Sequence, residues 1–261
     1  MEQNGIWSED LKIRAFMVDR HQEANLVAIQ NIFQEVAGNH ANFRRLGFED
    51  MQAKGMAWVL NRLKINIFKF PKWTETVTVK TWVSQMQPFS HRHFQMILPD
   101  SEADIVTPER DEAEVTKGVI LANAYSIWIP IDVVTKRPKR ITNHDLPLNT
   151  ISYDCEMPEK LTFANSEFDE SILSSERQVY YSDLDMLGHV NNAKYVEWLI
   201  DDFFKENRSK KPKTLEINYL GEVFEGSTVQ FFIQKQDDMI FYSLVNKEDG
   251  KEVVRAKLDN Q

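Results

Sequence analysis

The chain has 261 residues, with 31 Lys and Arg against 40 Asp and Glu, and a formal net charge of −9. That acidic balance argues against a general nucleic-acid or anionic-membrane binder, and every long apolar stretch is broken by charge, so no membrane-spanning helix is expected. The single cysteine, Cys155, has no internal partner, which fits a reducing, cytoplasmic setting and excludes a cysteine-built metal site.

In chain order, the first residues carry no basic and apolar leader pattern, so a signal peptide is not expected. Residues 11–18 read as a strand. Leu26, Ile29, Phe33, Val36, His40 and Phe43 then recur at three- and four-residue steps, one face of a helix with Asn25 as N-cap and Gly47 as stop. From Met56 the period changes to two, and residues 56–69, 75–86, 90–98 and 118–131 read as strands. The Asp-, Glu- and Pro-rich run from Pro99 to Gly118 is expected to be a solvated loop. Residues 138–176 show no period and read as a crossing linker. The order then restarts: a short strand at 178–182, a helix at 192–207 with Tyr195, Trp198, Leu199 and Phe203 on one face, and strands at 213–223, 227–235, 239–246 and 251–258.

This is an internal repeat of strand, helix and strands. Residues 63–77 lie ungapped over 215–229, with Leu, Ile, Asn, Thr and Val coinciding at five positions. One long helix per repeat is the only element able to cover an antiparallel sheet. The expected fold class is therefore α+β, a tandem double hotdog in which each half is a helix wrapped by a curved sheet. The halves are residues 1–140 and 177–261, joined by a linker at 141–176.

The segment Tyr181-Ser-Asp-Leu-Asp-Met-Leu-Gly-His-Val-Asn-Asn-Ala-Lys-Tyr-Val-Glu-Trp198 concentrates polar chemistry at a strand-to-helix junction. Asp185 and His189 sit just before a helix start, where unpaired backbone N–H groups carry partial positive charge. Such donors at Val190 to Asn192 suit a developing oxyanion, while a carboxylate or imidazole activates water. Asp183, Asn191 and Asn192 also suit simple helix capping. Aligning Asn25 with Asn192 sets Val18 opposite Asp185 and Gln22 opposite His189, and the 152-residue shift sets Phe70 opposite Glu222. In that register the first half has lost the polar positions; Asp19 and His21 lie close by, and a small slip would restore one of them. His91 and His93 alternate on a strand and read as a solvated face. His40 reads as a satisfied core histidine.

The Asp-Leu-Asp-x-x-x-His-Val-Asn-Asn-x-Lys-Tyr pattern resembles the active-site segment of the acyl-acyl carrier protein (acyl-ACP) thioesterases, a double-hotdog family. Residues 56–62, 70–73, 79–83, 124–129 and 135–138 resemble its N-terminal sheet and exit. The resemblance implies hydrolysis of fatty acyl thioesters in fatty acid biosynthesis, with acyl carrier protein as partner and no cofactor or metal. It places catalytic roles on Asp185, His189 and Glu222. The family asparagine falls on Leu187, which cannot hydrogen-bond, so that role is absent here or taken by Asn191 or Asn192. The family cysteine falls on Val223, which favours carboxylate-activated water over a thiol nucleophile. An acyl-CoA thioesterase and a non-catalytic acyl- or carrier-binding protein are the alternatives. No nucleic-acid or membrane partner is expected, and the assembly is a monomer with pseudo-dimer halves or a homodimer. Two basic clusters, residues 136–140 and Arg208, Lys210, Lys211 and Lys213, are candidates for docking an acidic carrier.

Overall fold

The structure is a computed structural model that describes residues 2–3, 5–107, 114–141, 156–161, 173–206 and 211–259. The chain divides into two compact units, residues 1–60 with 65–157, and residues 61–64 with 158–261. Cys155, Arg208 and Lys210 lie outside the described residues.

The first unit contains β1 (Glu2–Gln3), β2 (Ile6–Lys12), α1 (Leu26–Phe43), α2 (Phe48–Ala53), β3 (Met56–Ile67) apart from its residues 61–64, β4 (Thr76–Gln85), β5 (Ser90–Thr107) and β6 (Glu114–Asp132). Its strands run in the order β1-β2-β4-β5-β6-β3, and the ladders β1–β2, β2–β4, β4–β5 and β5–β6 are antiparallel. Helix α1 starts where its sequence predicts, because the Asn25 side chain accepts the Ala28 N–H at 2.8 Å. Its buried face is Leu26, Ala28, Ile29, Gln30, Ile32, Phe33, Val36, Ala37 and His40. That face lies on the sheet, where Phe33 meets Phe94 at 5.0 Å between ring centroids. Each large apolar side chain so buried contributes about 1.5–3 kcal/mol.

Several boundaries differ from expectation. The first strand is Ile6–Lys12, and a 3-10 turn, Ala15–Met17, fills part of the segment read as strand. Phe43, the last residue of α1, is exposed and packs on Trp7 of β2 at 5.1 Å. Gly47 does not stop α1; it is the N-cap of α2, which no periodicity announced. The polar run after Pro99 is not simply a loop. Its backbone extends the β5–β6 hairpin, with Asp104 paired to Lys117 and Val106 to Val115 beyond a register shift. Ladder hydrogen bonds are made by the main chain, so a charge-rich run can pair as well as an apolar one.

The second unit contains β7 (Leu173–Gln178), α3 (Asn192–Glu206), β8 (Thr214–Tyr219), β9 (Thr228–Gln236), β10 (Met239–Asn246) and β11 (Glu252–Asp259). The order is β8-β11-β10-β9-β7, antiparallel at each ladder. Tyr195, Val196, Trp198, Leu199 and Phe203 of α3 are buried, with Trp198 on Phe231 of β9 at 6.4 Å. Strand β7 begins inside the stretch read as linker, and a 3-10 turn at Tyr181–Asp183 takes the place of the expected strand 178–182. The buried carboxylate of Asp202 fixes β7 to α3 by accepting from Ser174 and Ser175 Oγ at 2.9 and 3.0 Å. Each unit thus sets one long helix on an antiparallel sheet, the hotdog arrangement expected from the element order.

Candidate active site

The Asp185–Asn191 segment is a closed turn. Asp185 N–H donates to His189 O at 2.8 Å, and Gly188 N–H to Asp185 O at 3.0 Å. The Asp185 carboxylate folds back over the turn, its Oδ1 accepting the Leu187 N–H at 2.8 Å and the His189 N–H at 3.3 Å. Gly188 sits at φ 78°, a left-handed conformation that favours glycine. Val190 N–H donates to Val223 O at 2.9 Å, which zips the turn to the segment carrying Glu222.

That zipper brings together two residues 33 positions apart. His189 Nε2 lies 3.5 Å from Glu222 Oε2. The imidazole is steered by Phe224, whose ring meets it edge-on at 5.0 Å and 81°. Glu222 is open to solvent, its side chain 43% exposed against 19% for His189. The preceding strand has ended at Tyr219, and of residues 220–225 only Val223 is buried.

Asn191 is the cap of α3: its Oδ1 accepts the Ala193 N–H at 2.9 Å, which leaves its amide N–H groups as donors. Of the backbone donors expected for an oxyanion, two are consumed by the turn. Val190 N–H goes to Val223 O and Asn191 N–H to Asp183 O at 2.8 Å, leaving Asn192 N–H from that set. Asp183 is buried and caps the preceding 3-10 turn through Tyr180 N–H at 2.9 Å. Below the turn lies Tyr195, 2% exposed, which the sequence assigned only to the helix face. Burial first, then the Asp185 and Glu222 carboxylates, push its phenol up, so it remains a protonated donor.

The first unit contains the same turn. Asp19 N–H donates to Glu23 O at 2.9 Å, Gln22 N–H to Asp19 O at 3.0 Å, and Ala24 N–H to Pro71 O at 2.8 Å. Asp19 Oδ1 accepts the His21 N–H at 2.7 Å and the Glu23 N–H at 3.4 Å. Gln22 takes the left-handed φ, 61°. The register is therefore Asn25 with Asn191, one residue from the alignment made on sequence. Asp19 stands opposite Asp185 and Glu23 opposite His189, so the first half has kept the aspartate and lost the histidine. The 152-residue shift holds for the sheet segment, because Pro71 and Val223 make matching bonds, and Phe70 stands opposite Glu222.

His91 and His93 are not on a solvated face. They are 9% and 1% exposed, with His93 Nε2 2.6 Å from Ser84 Oγ and His91 Nδ1 2.5 Å from Tyr125 Oη. The strand alternation was right, but this sheet buries polar residues on that face. Burial, then His91 and Arg92, lower the His93 imidazole to about 3. His40 is buried as expected and faces Arg92 Nη1 at 3.1 Å; burial, then Arg92, lower it to about 3. A cavity of about 110 Å³ lies beside this cluster, lined by Ala37, Leu46, Trp58, Met86, Arg92 and Trp128 among others.

Two units of helix on antiparallel sheet, one bearing a His–Glu pair before its helix, define a double-hotdog protein. The acyl-ACP thioesterase N-terminal domain matches residues 5–108 and the acyl-ACP thioesterase C-terminal domain residues 166–261. The chain belongs to the acyl-ACP thioesterase family. It is 25% identical over 97% of its length to a palmitoyl-acyl carrier protein thioesterase, chloroplastic, of Arabidopsis thaliana, covering 63% of that protein. It is 27% identical to oleoyl-acyl carrier protein thioesterase 2, chloroplastic, of the same plant, over 97% of this chain and 66% of the relative. The chain thus spans somewhat under two thirds of the length of the first of these relatives. Its fold matches an acyl-ACP thioesterase from Bacteroides thetaiotaomicron, with TM-score 0.80, 24% identity and 98% of both chains covered. It also matches the 12:0-ACP thioesterase from Umbellularia californica, with TM-score 0.77, 20% identity, and 99% and 98% of the two chains covered.

Proposed function

We propose that the protein hydrolyses fatty acyl thioesters, with acyl-ACP as the substrate, and releases free fatty acid in fatty acid biosynthesis. The observation that carries the reading is the His189–Glu222 pair, 3.5 Å apart at the mouth of a helix-start turn. Glu222 takes a proton from a water held between it and His189. The hydroxide adds to the thioester carbonyl, and the developing oxyanion is met by Asn192 N–H and the Asn191 amide. Collapse expels the thiolate of the carrier's prosthetic arm; His189 gives it a proton and takes up the one held by Glu222, so both groups return to their starting state as the acid and the thiol leave. Asp185 holds the turn with Oδ1 and sets its second oxygen and its charge beside the pair. These steps need no metal or organic cofactor.

Residues 177–261 supply the chemistry. Residues 1–140 supply the wall for the acyl chain, a reading supported by the apolar cavity between α1 and its sheet. The protein works in the cytoplasm as a monomer with pseudo-dimer halves or a homodimer, without nucleic-acid or membrane partners; no helix among the described residues is long and apolar enough to cross a membrane.

The test is turnover of a ladder of acyl-ACP and acyl-CoA substrates followed by thiol release. Faster hydrolysis of acyl-ACP is expected. Preference for acyl-CoA would move the carrier assignment, and protection of the thioester without turnover would make this a binding protein. Lys211 and the exposed Lys213 belong to the basic cluster proposed to meet the acidic carrier. Reversing Lys210, Lys211 and Lys213 to Glu should raise KM for acyl-ACP several-fold, with little change in kcat and an effect that fades with salt.

A further inference from the structure

The helix register shared by the two turns also aligns α1 with α3. Positions 29 and 195, 32 and 198, 33 and 199, and 37 and 203 are buried in both units. Three of these pairs are apolar side chains in both helices: Ile32 and Trp198, Phe33 and Leu199, Ala37 and Phe203. The fourth, at the first turn, is Ile29 in the first unit and Tyr195 in the second. A buried slot that an aliphatic side chain fills in one half therefore carries a hydroxyl in the half that also carries His189 and Glu222.

Packing does not explain that hydroxyl. The ring has its apolar neighbours, edge-on to Trp198 at 5.3 Å and to Tyr219 at 6.1 Å. Tyr195 Oη is buried and has no hydrogen-bond partner among the described residues. Neighbouring Tyr219 differs in this, because its hydroxyl donates to Asn192 O at 3.2 Å. A buried unpaired hydroxyl costs about 1–3 kcal/mol, a cost that phenylalanine would avoid. Helix side chains lean toward the N-terminus, so a residue one turn into α3 leans toward the Asp185–Asn191 turn, and both site carboxylates act on its phenol.

We infer that Tyr195 is a positioning residue of the site, whose O–H donates to the Glu222 carboxylate when the acyl thioester displaces solvent and Glu222 turns inward. The inference rests on the hydrolase reading and adds a residue to it. The Glu222 side chain is 43% exposed and has room to turn, and hydrogen bonds of this kind tighten on substrate binding. The donor holds the carboxylate in its charged form and fixes which oxygen faces His189 and the water.

The test is Tyr195→Phe, which removes only the hydroxyl. The variant is expected to unfold at the same or a higher temperature, with kcat reduced roughly ten-fold to a hundred-fold and KM within two-fold. The acid limb of its kcat/KM profile should move to higher pH, because a lost donor makes the carboxylate easier to protonate. The same contact is read without turnover by carbon-13 NMR of the Glu222 carboxyl, assigned with Glu222→Gln, in the presence of a non-hydrolysable acyl thioether of pantetheine. Its titration should move upward in Tyr195→Phe. Wild-type kcat with an unmoved acid limb overturns the inference, as does an unmoved carboxyl titration. A fall in melting temperature with equal loss of kcat and no pH shift makes the hydroxyl structural and also overturns it. Tyr195→Ile, the residue of the first unit, should give the same kinetic loss as phenylalanine if the hydroxyl is what matters. A wild-type protein that hydrolyses no thioester removes the hydrolase reading, while the carboxyl titration still decides the contact.

Discussion

The Asp19–Asn25 and Asp185–Asn191 turns have one backbone and two fates. Both close an aspartate N–H onto the carbonyl four residues on, both fold the aspartate Oδ1 over two N–H groups, and both end in an asparagine cap. What they share is architecture. The proposed reaction rests on where they differ: Glu23 against His189, Phe70 against Glu222 and Ile29 against Tyr195. The comparison separates two roles of Asp185 that the second unit alone would merge. Its Oδ1 does what Asp19 does in a half without the pair, and only its charge and second oxygen remain for the reaction.

The largest expected effect breaks the pair that the first unit lacks. Glu222→Gln and His189→Ala should each lower kcat by roughly two to four orders of magnitude with unfolding transitions close to wild type. The matching change Glu23→Gln should leave turnover within two-fold. Comparable losses at Glu23 and His189 would mean that the halves do not divide the labour.

The aspartates sharpen the comparison. Asp19→Ala and Asp185→Ala both remove the acceptor and should each cost about 1 kcal/mol of stability, the usual scale for a lost local hydrogen bond. Asparagine keeps an acceptor at Oδ1, so Asp19→Asn should be nearly silent by denaturant unfolding. Asp185→Asn keeps the turn, and its loss of kcat reads the charge and the second oxygen together. If Asp185→Asn retains full activity, neither takes part in the reaction.

An effect on stability alone, graded with pH, separates the first unit from the site. His40 and His93 are held neutral, with folded values lowered from 6.5 to about 3 by burial first. The unfolded chain binds protons on these groups that the folded chain refuses. Their contribution is complete above pH 6.5 and is lost as the pH falls from there toward 3, by up to about 1.4 kcal/mol per pH unit for each histidine. Urea midpoints measured between pH 7.5 and 5 should fall, and His93→Gln should flatten the slope without changing kcat at pH 7.5.

The sequence alone determined what depends on short-range pattern. The 3.6-residue period fixed α1 with Asn25 as its cap, because a helix face and its first N–H groups are satisfied by residues within one turn. The alternation after Met56 fixed the strands, and the Asp185 to Asn192 segment marked the site because its polar groups are neighbours in the chain. Tertiary structure decided what depends on partners far away in sequence. Only the Val190–Val223 bond brings Glu222 to His189. The hydrogen bonds of the two turns reset the repeat by one residue and chose Asp19 over His21, because an asparagine pair such as Asn191-Asn192 offers two caps with equal local claims. The burial of His91 and His93 and the unpaired hydroxyl of Tyr195 likewise escaped the sequence, since alternation gives a side chain its face and leaves to the rest of the fold what covers that face.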